Sequence, residues 1–328
     1  DGAPIYLDYA ATAPLDPRVA DLMSECLRDP TLQGNPASAH APGRAAAARV
    51  ELARGQVARL IGAPPGSIVF TSGATESVNL AILGAARAAG SDKRHVVTAR
   101  TEHRAALDAC RQLEREGFAL SWLAPRSDGS ADPGQIAAAL RPDTALVSLM
   151  HANNETGAIN DIAAIGRLCC ERGVAFHVDA AQSAGKLLID VEQMGVSLLS
   201  YCAHKLGGPK GVGALYLKHR PRPALQPLQF GGGHERGLRA GSLATHQIVG
   251  FGLACDLAGI DPDGGNLRGL PHRGEMEGRD RQPDLPAALE DMPHDVERHL
   301  GGEDARLDRR RPGLIAGAVH QVQEAVAD

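Results

Sequence analysis

From about residue 45 to residue 255 the chain alternates strand-like and helix-like segments, and few folds accept that rhythm. Helix-like stretches cover 44–61, 75–89, 102–117 and 162–172, each rich in alanine and leucine with charges on one face. Strand-like runs fall at 67–71, 95–98, 145–150 and 174–178. Strands that alternate with helices in this way predict an α/β fold, a mostly parallel sheet covered by helices on both faces. Ligands of such sheets bind outside the carboxyl ends of the strands. The polar residues that interrupt the apolar pattern fall there: Ser72, His103, Asn153, Asn154, Asp179 and Lys205. Their common position predicts a single site.

Two of those strand ends carry complementary chemistry. Tyr201-Cys202-Ala203-His204-Lys205 closes an apolar run and enters the glycine-rich turn Leu206-Gly207-Gly208-Pro209-Lys210-Gly211. A lysine so placed is desolvated and fixed in position, as imine formation with a carbonyl requires. Upstream, His177-Val178-Asp179-Ala180-Ala181-Gln182 closes another apolar run with an acid. An aldehyde cofactor with a pyridine ring uses both groups, the lysine for the imine and the carboxylate for the ring nitrogen. The pair points to pyridoxal 5'-phosphate.

The remaining motifs are read against that expectation. Thr71-Ser72-Gly73-Ala74-Thr75-Glu76-Ser77 follows a strand and opens a helix, so its free N–H groups suit a phosphate; an ordinary capped helix start also fits. His103 suits a ring stacked on the cofactor and a proton shuttle near neutral pH, or a polar helix cap. Met150-His151-Ala152-Asn153-Asn154-Glu155-Thr156-Gly157 ends a strand with amides, which donate without carrying charge, and asparagine is also common in turns. Asp179 at an apolar strand end needs a partner, a pyridinium nitrogen or the first N–H groups of a helix. Gln182, three residues on, is placed to reach a phenolic oxygen. The loop at 231–242, with three consecutive glycines and two arginines, reads equally as a surface loop.

Composition narrows the class. A chain of 328 residues can bury a large core, and its net charge of -5 carries no long basic stretch suited to nucleic acid. No apolar run is long enough to cross a membrane, and residues 1–8 hold no secretory pattern. The six cysteines are scattered without a CxxC pair, which favours a reduced cytoplasmic protein and no metal site. Five of them, Cys26, Cys110, Cys169, Cys170 and Cys255, fall on helical patterns and are expected to pack as small hydrophobes.

Assembled in order, these motifs resemble the cysteine desulfurases of the fold type I pyridoxal-phosphate enzymes, which include the class-V aminotransferases. The likeness runs from about Ile5 to Leu253. It rests on Tyr6-Leu7-Asp8-Tyr9-Ala10-Ala11-Thr12, Gly34-Asn35-Pro36-Ala37-Ser38, Thr101-Glu102-His103, Gly208-Pro209-Lys210-Gly211 and the motifs quoted above. It implies a large cofactor-binding domain over 15–257, with 1–14 belonging to a small domain whose other part is 258–328. Lys205 and His103 would be catalytic. The cofactor would be held by Ala74, Thr75, His103, Asn154, Asp179, Gln182, Cys202, His204 and Lys205. Ser242 would reach the phosphate bound by the partner subunit of a homodimer. Cys202 stands where the family usually has a serine, a stronger donor. The implied reaction converts L-cysteine to L-alanine and passes sulfur through an enzyme thiol to an acceptor such as an iron–sulfur scaffold protein.

The last third departs from the resemblance. No cysteine follows Cys255 and no serine follows Ser242, so neither the family's attacking cysteine nor its arginine-serine-glycine carboxylate clamp is found. From about Asp261 the composition shifts to Arg, Asp, Glu, Pro and Gly, and only Ile315, Val319, Val322 and Val326 recover a helical spacing. This segment is expected to be frameshifted or an abridged domain, and easily cleaved by protease. Two other readings follow: a selenocysteine lyase or aminotransferase of the same fold, and a cofactor-binding homologue with impaired catalysis.

Overall fold

The computed structural model describes residues 5–258. The expected terminal helix through Val326 and the segment beyond residue 258 lie outside the described residues. Seven strands form one sheet: β1 (Ile68–Thr71), β2 (His95–Ala99), β3 (Ala119–Leu123), β4 (Thr144–Met150), β5 (Ala175–Asp179), β6 (Leu198–Cys202) and β7 (Gly213–Leu217). Their spatial order is β1-β7-β6-β5-β4-β2-β3. The pairs from β3 through β6 are parallel, and β7 runs antiparallel to both β6 and β1. Six strands therefore share one direction, and their carboxyl ends share one side. The chain steps outward from β2 to β3, then returns past β2 to β4, β5 and β6. That reversal opens a crevice above β2 and β4, the ordinary ligand position of such sheets.

Apart from the half-buried edge strand β3, the sheet is buried on both faces because its strands are apolar at most positions. Successive residues alternate between two cores. Val96, Leu146, Leu198 and Leu215 face α3 (Ala74–Ala88) and α4 (Arg104–Arg115). Val97, Val147, Leu199 and Ala214 face the opposite layer. That layer contains α1 (Pro17–Arg28), α2 (Ala41–Arg59), α6 (Ile162–Glu171) and α7 (Thr245–Ala258); α5 (Pro133–Ala139) packs on α6. Helix α7 is apolar nearly all round and runs against α2 at very short range. A Cβ on its Gly252 would lie 2.9 Å from the Cα of Ala53, so glycine is required there.

The predicted helices and strands match the observed ones within a few residues. The ranges read from sequence omit α1, α5, α7, β3 and β7, although Cys26 and Cys255 were placed on helical patterns, which α1 and α7 bear out. One cysteine expectation is corrected. Cys26, Cys110, Cys169 and Cys255 are buried, but Cys170 is exposed, because α6 turns that flank away from the core.

Polar groups inside the sheet are paired across strands. The His177 ring on β5 bonds Ser148 Oγ on β4 and Ser200 Oγ on β6, each at 2.9 Å. Burial pushes its pKa down to about 3, so the ring stays neutral and pins three strands in register. The β1 edge is closed by a buried ion pair. Glu235 accepts from Phe70 N at 2.7 Å and pairs with Arg54 at 2.8 Å, while Arg54 and Arg236 both donate to Ile68 O. These bonds occupy backbone groups that an exposed edge would leave unpaired.

Candidate active site

A cleft of about 650 Å³ opens at the carboxyl ends of the strands. Each strand end contributes through its following turn. After β1, Ser72 and Gly73 turn the chain into α3, and Gly73 adopts φ +155°. The turn sits directly on β7: a Cβ on Gly213 would fall 2.6 Å from the carbonyl carbon of Gly73. The first turn of α3 therefore faces the cleft with Ala74 and Thr75 on its rim. Glu76 reaches back as a cap, its Oε2 accepting from Ser72 N at 2.7 Å.

After β2, His103 caps α4, its Nδ1 accepting from Ala105 N at 3.1 Å. The cap and the cleft position coexist. With Nδ1 used as an acceptor, the proton of the neutral ring resides on Nε2. Glu102, immediately before, is buried, and its Oε1 accepts from Met150 N at 2.9 Å while its Oε2 has no partner. Burial pushes its pKa well up, helped by the nearby Asp179.

After β4, the two asparagines divide their tasks. Asn153 is a turn residue: its amide donates to Thr101 O at 2.8 Å and its oxygen accepts from the N–H groups of Glu155 and Thr156. Asn154 lines the cleft, its amide donating to Glu155 at 2.7 Å. After β5, Asp179 is buried, with Oδ1 accepting from Ala181 N at 2.9 Å. Burial raises its pKa, against the pull of Ala181 N–H, His103 and Lys205. Gln182 lines the cleft but donates to Ala10 O at 2.8 Å.

After β6 come Cys202, His204 and Lys205, all lining the cleft. The Cys202 sulfur lies under the N–H groups of Lys205 and Ala74, yet burial dominates and pushes its pKa up to about 11. His204 Nδ1 bonds Thr12 Oγ1 at 3.1 Å, and His204 O accepts from Ala13 N. Burial, then Lys205 and Lys210, lower the His204 pKa. Residues 8–12 are thereby laid along the cleft, which sequence reasoning did not foresee. Among the expected residues Asn153 stays in its turn outside the cleft lining, and Ser242 borders a separate groove with Cys26, Gln33 and Asn35.

The class-V aminotransferase family profile matches residues 5–261. The chain belongs to the class-V aminotransferase family. It is 57% identical over 266 residues to cysteine desulfurase IscS of Shewanella sediminis, and 56% identical over 273 residues to that of Azotobacter vinelandii strain DJ. The first alignment takes in 81% of this chain and 66% of the relative, the second 82% and 68%. The chain thus spans about two thirds of the length of these curated relatives. Among solved structures it resembles SspA in complex with cysteine, with TM-score 0.75 and 41% identity over 78% of this chain and 74% of that one. A NifS-like protein follows at TM-score 0.74 and 37% identity, covering 77% and 69%. In this family frame the missed residues are Glu76 and Glu102. The signal for Glu76 was visible, an acid at the third helical position after a glycine turn. Glu102 gave none, because an acid beside a histidine reads as surface.

Proposed function

We propose that the chain is a pyridoxal-phosphate-dependent cysteine desulfurase, converting L-cysteine to L-alanine and passing the sulfur on for iron–sulfur cluster assembly. One observation carries the proposal: Lys205, His103 and Asp179, from three strand ends, line one cleft beside the opening turn of α3. The cofactor fits this donor set. Asp179 is a buried carboxylate with Oδ1 engaged by the chain and Oδ2 left to the cleft. Such a group is costly without a cationic partner, and a pyridinium nitrogen supplies one. When bound, the cofactor conjugates the substrate amine to an electron-withdrawing ring and so stabilises negative charge on the adjoining carbons.

The placement of the cleft residues supports the following roles. Lys205 would hold the cofactor through its amine and then move a proton to and from the substrate carbon. His103 would stack on the ring and exchange a proton at Nε2. Asp179 would hold the ring nitrogen; Gln182 and Asn154 would serve the phenolic oxygen and the substrate carboxylate. Ala74, Thr75, His204 and Cys202 would hold the phosphate, and Ser242 would complete the partner subunit's phosphate site in a cytoplasmic homodimer. The balanced reaction is L-cysteine plus a thiol giving L-alanine plus the persulfide of that thiol. None of the six cysteines is both exposed and on the cleft, since Cys202 is buried and Cys170 lies on α6. The accepting thiol is therefore an added or partner thiol.

The lack of an exposed cysteine on the cleft favours two alternatives, a cofactor-binding homologue that does not turn over cysteine and one acting on selenocysteine without a thiol nucleophile. Alanine release from L-cysteine, with added cofactor and a thiol, tests the choice. Turnover that depends on the thiol and disappears in Lys205→Ala is the expected result. Cofactor uptake with no alanine from cysteine overturns the desulfurase reading, and alanine from selenocysteine alone identifies the lyase.

A further inference from the structure

The cleft holds an acid at the place where its proposed ligand is most negative. Glu76 lines the cleft at the third position of α3, one residue past Thr75 on the same rim. Its carboxylate is fully engaged. Oε2 accepts from Ser72 N at 2.7 Å, Oε1 accepts from Arg239 Nε at 2.9 Å, and Arg239 Nη2 adds a longer bond of 3.4 Å. The two side chains are only 15% and 18% exposed, so solvent screens the pair weakly. Burial alone would raise the Glu76 pKa, but Arg239 and Ser72 outweigh it and hold it down, so the group is an anion.

Arg239 does not line the cleft. It arrives from the loop 231–242, which the buried pair of Arg54 and Glu235 fastens to the β1 edge. The guanidinium therefore meets Glu76 from outside the cleft lining, on a loop tied to the β1 edge. Without it, an uncompensated carboxylate would stand next to the helix turn that receives a phosphate dianion. Like charges at this range in a partly buried site repel strongly.

We propose that Arg239 sets the phosphate affinity of the cleft without touching the phosphate, by neutralising Glu76. The inference rests on the pyridoxal-phosphate reading above. It is a positioning and charge-compensating role, so the consequence is specific for the charged part of the ligand. Pyridoxal, which has the same ring and aldehyde without the phosphate, should not sense it.

The test is equilibrium binding of pyridoxal phosphate and of pyridoxal to the full chain, followed by absorbance. Variants are Arg239→Met, Arg239→Lys, Glu76→Gln and the double Arg239→Met/Glu76→Gln. Arg239→Met should weaken pyridoxal phosphate about tenfold or more and leave pyridoxal within about twofold. Arg239→Lys keeps the charge and should keep most of the affinity. The double variant should recover it, because the repulsive carboxylate is gone. Equal losses for both compounds in Arg239→Met would mean a merely structural role and overturn the inference. So would a double variant as weak as Arg239→Met, the result expected if Arg239 bound the phosphate itself. A wild-type chain that takes up neither compound overturns the cofactor reading and this inference together.

Discussion

Arg54→Met tests the most heavily buried ion pair of the described residues. Arg54 and Glu235 side chains are 5% and 2% exposed. The substitution removes both bonds to Glu235, the bond to Ile68 O and the stacking of the guanidinium 4.6 Å over Phe70. Methionine fills much of the volume, so cavity formation adds little. Glu235 keeps only its acceptance from Phe70 N. Removing one partner of a buried pair costs about 3–5 kcal/mol, whereas an exposed pair such as Arg111 with Asp108 is worth about 0–1 kcal/mol. Against a typical stability of about 5–15 kcal/mol the loss is large. Urea unfolding of the full chain should show a lower midpoint, and Arg111→Met should leave it nearly unchanged. Arg54→Met/Glu235→Gln should return most of the loss, since replacing both charges of a buried pair is often neutral. A loss below about 1 kcal/mol in the single variant refutes the reasoning. So does a double variant no better than the single one.

Three further outcomes are expected. Gly166→Ala should destabilise by about 1–3 kcal/mol or more, because its Cβ would lie 1.9 Å from Met194 O, whereas Gly55→Ala in α2 meets open space and should stabilise by about 0.5–1 kcal/mol; thermal unfolding of both gives the signs. Glu102→Gln should stabilise the chain at neutral pH and lose that advantage in acid. The folded-state pKa of Glu102 is raised, so its stability contribution is intact below the ordinary carboxylate pKa of about 4.3 and is lost as pH rises toward the folded value; urea midpoints of both proteins from pH 4 to pH 8 read the divergence, and parallel curves contradict it. A thiol reagent should label Cys170 in the native chain and the other five cysteines only on unfolding, which mass spectrometry of digests resolves.

The sheet was legible because its strands carry almost uninterrupted apolar runs, and β4 and β6 could hardly be anything else once helices lay between them. The site was legible for the same reason. A polar residue at the end of such a run, Asp179 or Lys205, has no bland role large enough to repay its desolvation. The strand β3 was missed because none of its residues is fully buried, which weakens the apolar signal. Glu76 carried a local signal in its capping position, but its pairing with Arg239, 163 residues away, did not, and Glu102 is bonded to Met150, 48 residues away. No local pattern announces such a pair. Asn153 and His103 show the other limit, since each fills the capping or turning role that its residue type suggested, and only His103 also reaches the cleft.

The fate of the sulfur follows from the same balance of burial and charge. Cys202 lies three residues before Lys205 and has the nearest thiol to the chemistry that this cleft offers. Lys205 and two backbone N–H groups all favour its thiolate, an arrangement that activates cysteines elsewhere. Burial is the larger influence here and leaves the pKa at about 11. At pH 7 only about one molecule in ten thousand would carry the thiolate, and that sulfur would face the floor of the phosphate site rather than open cleft. Cys202 is thus a buried packing residue of the cleft wall, and under the proposed reading it would lie beneath the phosphate in the place of a donor. A persulfide formed by this chain at useful rates must then be formed on a thiol that enters the cleft from outside its walls. The alanine yield should therefore rise with the concentration of added thiol in wild type and in Cys202→Ser alike.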